Sequence, residues 1–248
     1  MTLQQFFQEN PKVALAFSGG VDSAYLLYAA LRYGADVRAY YVKTPFQPEF
    51  EYDDAVLLAQ QVGGEMTTLH LDVLSDPAIA ENPRNRCYFC KKRIFAAILE
   101  QAKTDGYSLI IDGTNASDDA SDRPGMQALR ELGVRSPLRE CGLTKAKIRK
   151  LSKDAGLFTH DKPAYACLAT RIPAGTPITE QQLAITERSE GFLRGLGFSD
   201  FRIRFMGTAA RVQVSESQLP LLLTHREEIL RKLKNDYNGV LLDLEVRQ

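Results

Sequence analysis

Ser18-Gly19-Gly20-Val21-Asp22-Ser23 sets two hydroxyls, two glycines and a carboxylate side by side. The apolar run KVALAF (12–17) ends at this stretch, and a helical pattern begins at Asp22. A buried strand that breaks into a glycine turn and feeds a helix builds an anion site. Backbone N–H groups of the turn and of the helix N-terminus converge on phosphate oxygens, and glycine lets the ligand come close. Ser18 and Ser23 add hydroxyl donors. Asp22 repels a phosphate on its own, and suits the place when it helps hold a Mg²⁺ that bridges phosphates. The same residues also read as a plain strand–helix turn with Asp22 or Ser23 as the cap. No Gly-Lys-Ser/Thr follows at the spacing of a Walker loop, and the string is not Gly-x-Gly-x-x-Gly.

The second chemical feature is thiol. Cys87 and Cys90 form a Cys-x-x-Cys in NRCYFCKK just before a helical run, Cys167 sits in KPAYACLATR, and Cys141 precedes an amphipathic helix. The pair reads as a zinc half-site, a redox pair or an iron–sulfur half-site. It also reads as two buried thiols that never meet Cys167. Three cysteines leave one corner of a four-ligand site open, which suits a [4Fe–4S] cluster with one iron free for another ligand. Cys141 reads as structural. Lys91, Arg171, Arg202 and Arg204 are candidate clamps for a polyanion, because the arginine fork binds phosphate and carboxylate in two places at once. Arg202 and Arg204 alternate along one strand and share a face, as a clamp or as a solvated surface. Lys91 and Lys92 also read as decoration of a helix start.

These residues need a frame. The 248 residues are 44% hydrophobic and 25% charged, with zero formal net charge, so no global basic field draws nucleic acid or an anionic membrane. No apolar run approaches the roughly 18 residues of a membrane span. The segment MTLQQFFQENPK lacks the pattern of a secretory signal. A cytoplasmic, reducing location is expected, where four cysteines point to metal or catalysis more than to disulfides. Strands at 12–17, 36–43, 65–72 and 108–113 alternate with helices at 22–33, 48–63 and 90–106. That alternation argues for an α/β fold with a doubly wound parallel sheet. A helix follows over 143–157, with Thr144 as its cap and Ile148, Leu151 and Ala155 on one face. After RIPAGTPIT the pattern changes: a helix at 179–195, a hairpin 201–215 turning at Gly207, a helix at 217–234 and a strand at 239–246. The expected domains are 1–172 and a small α+β module over 178–248.

The string FSGGVDS, placed after the first strand, resembles the PP-loop signature of the ATP pyrophosphatase superfamily, which cuts ATP between its α and β phosphates. DGTNASD (112–118), at the end of the fourth strand, is where such enzymes complete the nucleotide site. NPxNRCYxCK, DGTNASDDxxDRPG, SPL…LTKxxIRxLxxxxGL and KPAxACLATRIPxGTPIT together resemble the LarE family over nearly the whole chain. That resemblance implies a HUP-like fold and an enzyme that adenylates pyridinium-3,5-biscarboxylic acid mononucleotide and places sulfur on that carbon, for a nickel-pincer cofactor. One branch of the family sacrifices a single cysteine near Cys167. The other holds a [4Fe–4S] cluster on three cysteines and carries sulfide on its open iron. This chain has the three-cysteine pattern, so Cys87, Cys90 and Cys167 are the expected cluster ligands.

The resemblance further implies ATP and Mg²⁺ at Ser18, Gly19, Gly20, Asp22, Ser23, Gly113 and Thr114. Asp22 serves as a metal ligand, and Lys91 and Asp118 or Asp119 join the catalytic set. Arg171, Arg202 and Arg204 would hold the mononucleotide. The expected partners are that substrate and sulfide or another sulfur donor, with no nucleic acid and no membrane. A homo-oligomer, as a hexamer, is also implied. At RVQV the chain has Gln213, where a metal-binding Glu is expected in some single-cysteine members, and a second metal site there is in doubt. The main rival is a tRNA thiolase, which would need a basic surface and steep salt dependence. An ammonia-using ligase leaves the cysteines unexplained, and a nucleotide sensor would release no pyrophosphate.

Overall fold

The computed structural model describes residues 1–118 and 124–247, so Asp119 lies outside the described residues. It divides into two compact units, which are taken in turn.

The first unit comprises Met1–Val73 and Asn85–Ala164. Its strands are β1 (Lys12–Ala16), β2 (Asp36–Lys43), β3 (Glu65–His70) and β4 (Ile110–Asp112), all parallel, in the order β3-β2-β1-β4. The helices are α1 (Leu3–Glu9), α2 (Val21–Arg32), α3 (Glu49–Val62), α5 (Arg86–Thr104), α6 (Pro124–Glu131), α7 (Pro137–Glu140) and α8 (Lys145–Asp154). α4 belongs to the second unit.

Alternate residues of a strand face opposite ways. Val13 and Leu15 therefore join one core with Leu26, Leu27, Leu58 and Ile148, while Ala14, Tyr40 and Val42 join another with Phe95, Ile98 and Leu129. Both faces are covered, as a parallel sheet requires. This is the doubly wound α/β sheet that the strand–helix alternation implied. The chain runs outward from β1 to β3 and returns to β4 on the other side of β1. The switch point, where ligands bind in such sheets, therefore lies beyond the carboxyl ends of β1 and β4.

The second unit comprises Leu74–Arg84 and Tyr165–Gln248. It holds α4 (Pro77–Ala80), α9 (Glu180–Gly195), β5 (Phe201–Met206), β6 (Ala209–Val214), α10 (Leu219–Thr224), α11 (Arg226–Leu233) and β7 (Gly239–Leu242). β5 and β6 form the antiparallel hairpin expected, and β7 adds in parallel to β6. Phe198, Phe201, Ile203, Val212, Leu193 and Leu233 fill its core.

Some details differ from the sequence reading. The segment 74–84 sits with the second unit, not the first. Its Asn82 adopts φ +55° and donates through its amide to the carbonyls of Ile172 (3.3 Å) and Pro173 (2.9 Å), while Ala80 O accepts from Ile178 N. The helix expected over 217–234 is a 3₁₀ turn followed by α10 and α11, because the backbone leaves the helical region at His225 (φ −95°, ψ 12°). The last strand stops at Leu242, where the Asp243 side chain accepts from Glu245 N and turns the chain. No helix among the described residues is long and apolar enough to cross a membrane.

Candidate functional site

β1 ends at Ala16, and α2 begins at Val21 with no side chain capping its first N–H groups. A helix start leaves such donors open to an anion. The turn between is held by serine. Ser23 Oγ lies 3.1 Å from Ser18 Oγ, accepts from Ser18 N at 3.3 Å and donates to Gly20 O at 3.2 Å.

The two glycines are not equivalent. Gly19 has φ +70°, and a Cβ on it would lie 2.8 Å from Ala55 Cβ of α3, so the fold itself demands glycine there. A Cβ on Gly20 would meet only Ser18 Oγ, at 3.5 Å. Gly113, after β4, lets that strand's end press on the start of α2, since its Cβ would lie 2.9 Å from Ser23 N. The two segments singled out from sequence are thereby brought together at the switch point.

Asp22, in the first turn of α2, is the site's unusual group. Its Oδ2 accepts from Lys145 Nζ at 2.6 Å, while Oδ1 is buried with no hydrogen-bond partner. Burial raises its pKa. The hydrogen bond and charge of Lys145 pull it down, and the Asp118 carboxylate adds to the rise. A buried carboxylate oxygen left unmatched beside an open helix start suits a divalent cation and the phosphates it would bridge.

Lys145 opens α8 behind the Thr144 cap, and its own N–H donates to Ser117 Oγ at 3.0 Å. The sequence reading left its side chain without a role, although it stands in the quoted LTKxxIR string. Asp118 caps the turn after β4 by accepting from Asn115 N at 2.9 Å. Arg139 donates to the carbonyls of Asn115 and Asp118. Thr114 is buried, and its hydroxyl is committed to Asp112.

None of the four cysteines is in a disulfide. Cys87 was expected just before a helix that opens at Cys90. That helix starts earlier, at Arg86, so Cys87 lies inside it as well. At i and i+3 they share one helix face. Cys87 is exposed and Cys90 half-buried. Lys91 is half-buried with its stem across Gly125, whose Cβ would lie 2.8 Å from Lys91 Cδ, whereas Lys92 is exposed beside the Tyr88 ring. Cys141 ends α7 packed against the first unit's core, and burial pushes its thiol pKa up, which keeps it inert.

Cys167 belongs to the second unit and precedes a 3₁₀ turn, Leu168–Arg171. Arg171 is fully buried. Its Nε and one Nη bond both oxygens of Glu190 at 2.8 and 2.9 Å, and its other Nη donates to Ala166 O at 2.7 Å and Thr170 Oγ1 at 2.8 Å. Glu190 also accepts from Tyr165 Oη at 2.6 Å and Ile203 N at 3.0 Å. Arg171 therefore anchors the Cys167 loop from within, and its donors are committed to protein. No group of three or more His, Cys, Asp or Glu side chains fit to hold a metal occurs among the described residues.

Arg202 and Arg204 do share a face of β5, opposite the core residues Phe201 and Ile203. Arg202 is buried over the Tyr165 ring, 5.2 Å from its centre, and donates to Phe201 O at 2.6 Å. Burial, then the neighbouring Arg171 and Arg247, lower its pKa to about 10. A guanidinium disfavoured in this way gains from an incoming anion.

No family model matches the chain. It is 36% identical over 249 residues to an uncharacterized protein of Synechocystis sp., across 98% of this chain and 92% of that one. It is 32% identical over 246 residues to the pyridinium-3,5-bisthiocarboxylic acid mononucleotide synthase of Lactiplantibacillus plantarum, across 98% and 89% of the two chains. A tRNA-specific 2-thiouridylase of Fervidobacterium nodosum matches over 128 residues at 29% identity, across 42% of this chain and 37% of that one.

Proposed function

The chain belongs to the LarE family of pyridinium-3,5-bisthiocarboxylic acid mononucleotide synthases, and we propose that it is an ATP-dependent sulfurtransferase. It adenylates a carboxylate of pyridinium-3,5-biscarboxylic acid mononucleotide and converts it to a thiocarboxylate, as a step of nickel-pincer cofactor biosynthesis. The observation that carries the ATP half of this reading is Asp22 Oδ1, buried and unmatched in the first turn of an uncapped helix after a glycine turn.

In the first step the substrate carboxylate attacks the α-phosphorus of ATP. The α–β bond breaks, and pyrophosphate leaves with the electron pair. The residues of the loop act on that leaving group. Open N–H groups of α2 and the Ser18 hydroxyl receive phosphate oxygens, while the buried Ser23 hydroxyl, donating to Gly20 O, holds the turn that presents them. Asp22 takes the Mg²⁺ that travels with them, and Lys145 balances the charge. Gly113 and Thr114 bound the nucleotide on the β4 side. Asp118 and Lys91 complete the polar surroundings, and Arg202 and Arg204 hold the mononucleotide's phosphate.

In the second step a sulfur nucleophile attacks the acyl carbon, and AMP departs. Cys87, Cys90 and Cys167 would hold a [4Fe–4S] cluster, which when bound would supply an iron site for sulfide. None of the three is in a disulfide, so their donor chemistry fits. Arg171 and Glu190 fix the loop that presents Cys167. Sulfide or another sulfur donor is the co-substrate, the site is cytoplasmic, and the working form is a homo-oligomer, as a hexamer. Neither nucleic acid nor membrane takes part.

The test is anaerobic turnover with ATP, the biscarboxylate mononucleotide and sulfide, followed by pyrophosphate assay and mass spectrometry of the intact chain. We expect substrate-dependent pyrophosphate, several turnovers per chain and an unchanged mass. A sacrificed cysteine would lose about 34 Da as its sulfur departs. Stoichiometric loss at Cys167, with Cys87→Ala and Cys90→Ala still active, overturns the cluster. Absence of substrate-dependent pyrophosphate overturns the adenylation.

A further inference from the structure

The string KPAYACLATR opens on Lys162, which takes no part in either step of the proposed reaction. A lysine ordinarily keeps its ammonium in water. Lys162 is pulled in. Its side chain is 13% exposed and lies over the Phe50 ring, with Nζ 2.7 Å from Asp54 Oδ2 and 3.1 Å from Glu51 Oε2. The Glu51 side chain is only 12% exposed. A largely buried ammonium between two carboxylates fixes a position, as an exposed ion pair does not.

Both carboxylates lie in the first two turns of α3. Ala55, next to Asp54, is the residue against which Gly19 is seated. The same turn of α3 therefore touches the phosphate turn and holds Lys162. The chain reaches Lys162 as a strap laid along α3. Gly156 O accepts from Gln61 Nε2 at 2.8 Å, Leu157 joins the first unit's core and Phe158 packs against it. Arg149 donates to His160 O at 2.7 Å and to Lys162 O at 2.8 Å. Between 156 and 162 the strap passes from Gln61 back to Asp54 and Glu51, so it runs antiparallel to α3. At Lys162 it leaves a 3₁₀ turn with φ −53° and ψ 123°, the extended conformation that a following proline imposes.

The first unit ends two residues later, at Ala164. Tyr165 and Arg171, on either side of Cys167, are fastened to Glu190 of the second unit. The Cys167 segment is thus moored at its head in the unit that carries the phosphate turn, and along its body in the other.

We propose that Lys162 is a positioning residue for sulfur transfer. By mooring the strap to α3 it fixes the point from which the chain departs toward Cys167, so transfer depends on it and adenylation does not. This rests on the reading above, in which the phosphate turn serves adenylation and the Cys167 loop serves delivery of sulfur. An acyl adenylate that meets no sulfur is hydrolysed: water attacks the acyl carbon, AMP departs and the biscarboxylate returns. A loosened strap therefore lets the chain consume ATP without making thiocarboxylate.

The experiment compares the anaerobically isolated wild-type chain with Lys162→Met and Lys162→Arg, in turnover with ATP, the biscarboxylate mononucleotide and sulfide. Thiocarboxylate formed per pyrophosphate released is measured by chromatography, and amide exchange over 164–167 by mass spectrometry. The double variant Lys162→Met, Asp54→Asn removes both members of the closest ion pair and takes the place of Lys162→Met where that chain does not fold.

Lys162→Met should release pyrophosphate within about threefold of wild type and lose about tenfold in thiocarboxylate per pyrophosphate, as a misplaced reacting group does. Its amides at 164–167 should exchange at least about tenfold faster. Lys162→Arg keeps a cation between the carboxylates and should bring the ratio back to within about threefold of wild type. An unchanged ratio or unchanged exchange overturns the proposal. So does an equal fall in pyrophosphate and thiocarboxylate, which is the mark of a residue that serves only stability. A wild type that releases no substrate-dependent pyrophosphate overturns the proposed reaction and the role in transfer with it, and the exchange measurement alone then decides whether Lys162 moors the segment.

Discussion

Asp22→Asn isolates the charge of one carboxylate at nearly constant shape. In the ligand-free protein, Oδ1 is a buried acceptor with nothing to accept, which costs about 1–3 kcal/mol. The 2.6 Å bond from Lys145 to Oδ2 returns about 1.5–3 kcal/mol, toward the low end because the Lys145 side chain is 36% exposed. The two nearly cancel, so the Asp22→Asn substitution should change stability by about 1 kcal/mol or less, or about 2–4 °C in a unit of this size.

The effect on pyrophosphate release is of another order. On the proposed reading Asp22 serves the leaving phosphates and their Mg²⁺, so its loss should slow release at least 100-fold, about 2.7 kcal/mol of barrier. The pH dependence has a definite sign. Burial raises the folded-state pKa of Asp22 above its ordinary 3.8. The folded chain therefore holds the proton more tightly than the unfolded one, and stability falls as pH rises from 3.8 through the raised value. The amide variant has no such proton to lose, so its melting temperature should gain on wild type across that window. The assay is a coupled pyrophosphate measurement with thermal melts from about pH 3.5 upward, which brackets the start of that window. Release within about threefold of wild type, less than 1 kcal/mol of barrier, refutes the assignment. So does a melting loss large enough to account for the missing activity.

The two loop glycines should separate fold from function. Gly19→Ala forces φ +70° on a residue with a Cβ and drives it onto Ala55, so thermal melts should show a loss of about 1–3 kcal/mol. Gly20→Val should melt near wild type yet bind MgATP at least tenfold more weakly by calorimetry, because it obstructs the ligand and little else. Glu190→Ala should strand the buried Arg171 at a cost of about 3–5 kcal/mol, lowering the second unit's melting temperature by at least about 12 °C. Amide exchange over 165–171 should accelerate in the same variant, and unchanged protection there would show that Arg171 does not hold the Cys167 loop.

Much of the first unit was legible in the sequence because its signals are local. KVALAF followed by two glycines and an amphipathic run reads as strand, turn and helix, and four strands alternating with three helices argue for a parallel sheet. The alternation of FRIRFM dictated that Arg202 and Arg204 share a face, and Thr144 announced its own helix. Tertiary structure decided what those residues meet. Lys145 reaches Asp22 across 123 positions, and nothing in either neighbourhood specifies the partner. Arg171 carried the same sequence credentials as Arg202 for gripping a ligand. The burial of Glu190 beside it, an outcome of how α9 packs, turned it into an internal anchor. Gly19 and Gly20 are identical letters whose difference arises from the approach of α3 to one of them. Segment 74–84 joins the second unit through carbonyls some ninety residues away, bonds that carry no periodicity. Secondary structure follows from spacing along the chain, which sequence displays. Pairing of charges and closeness of approach follow from which surfaces the packed elements bring together, and only the folded chain fixes that.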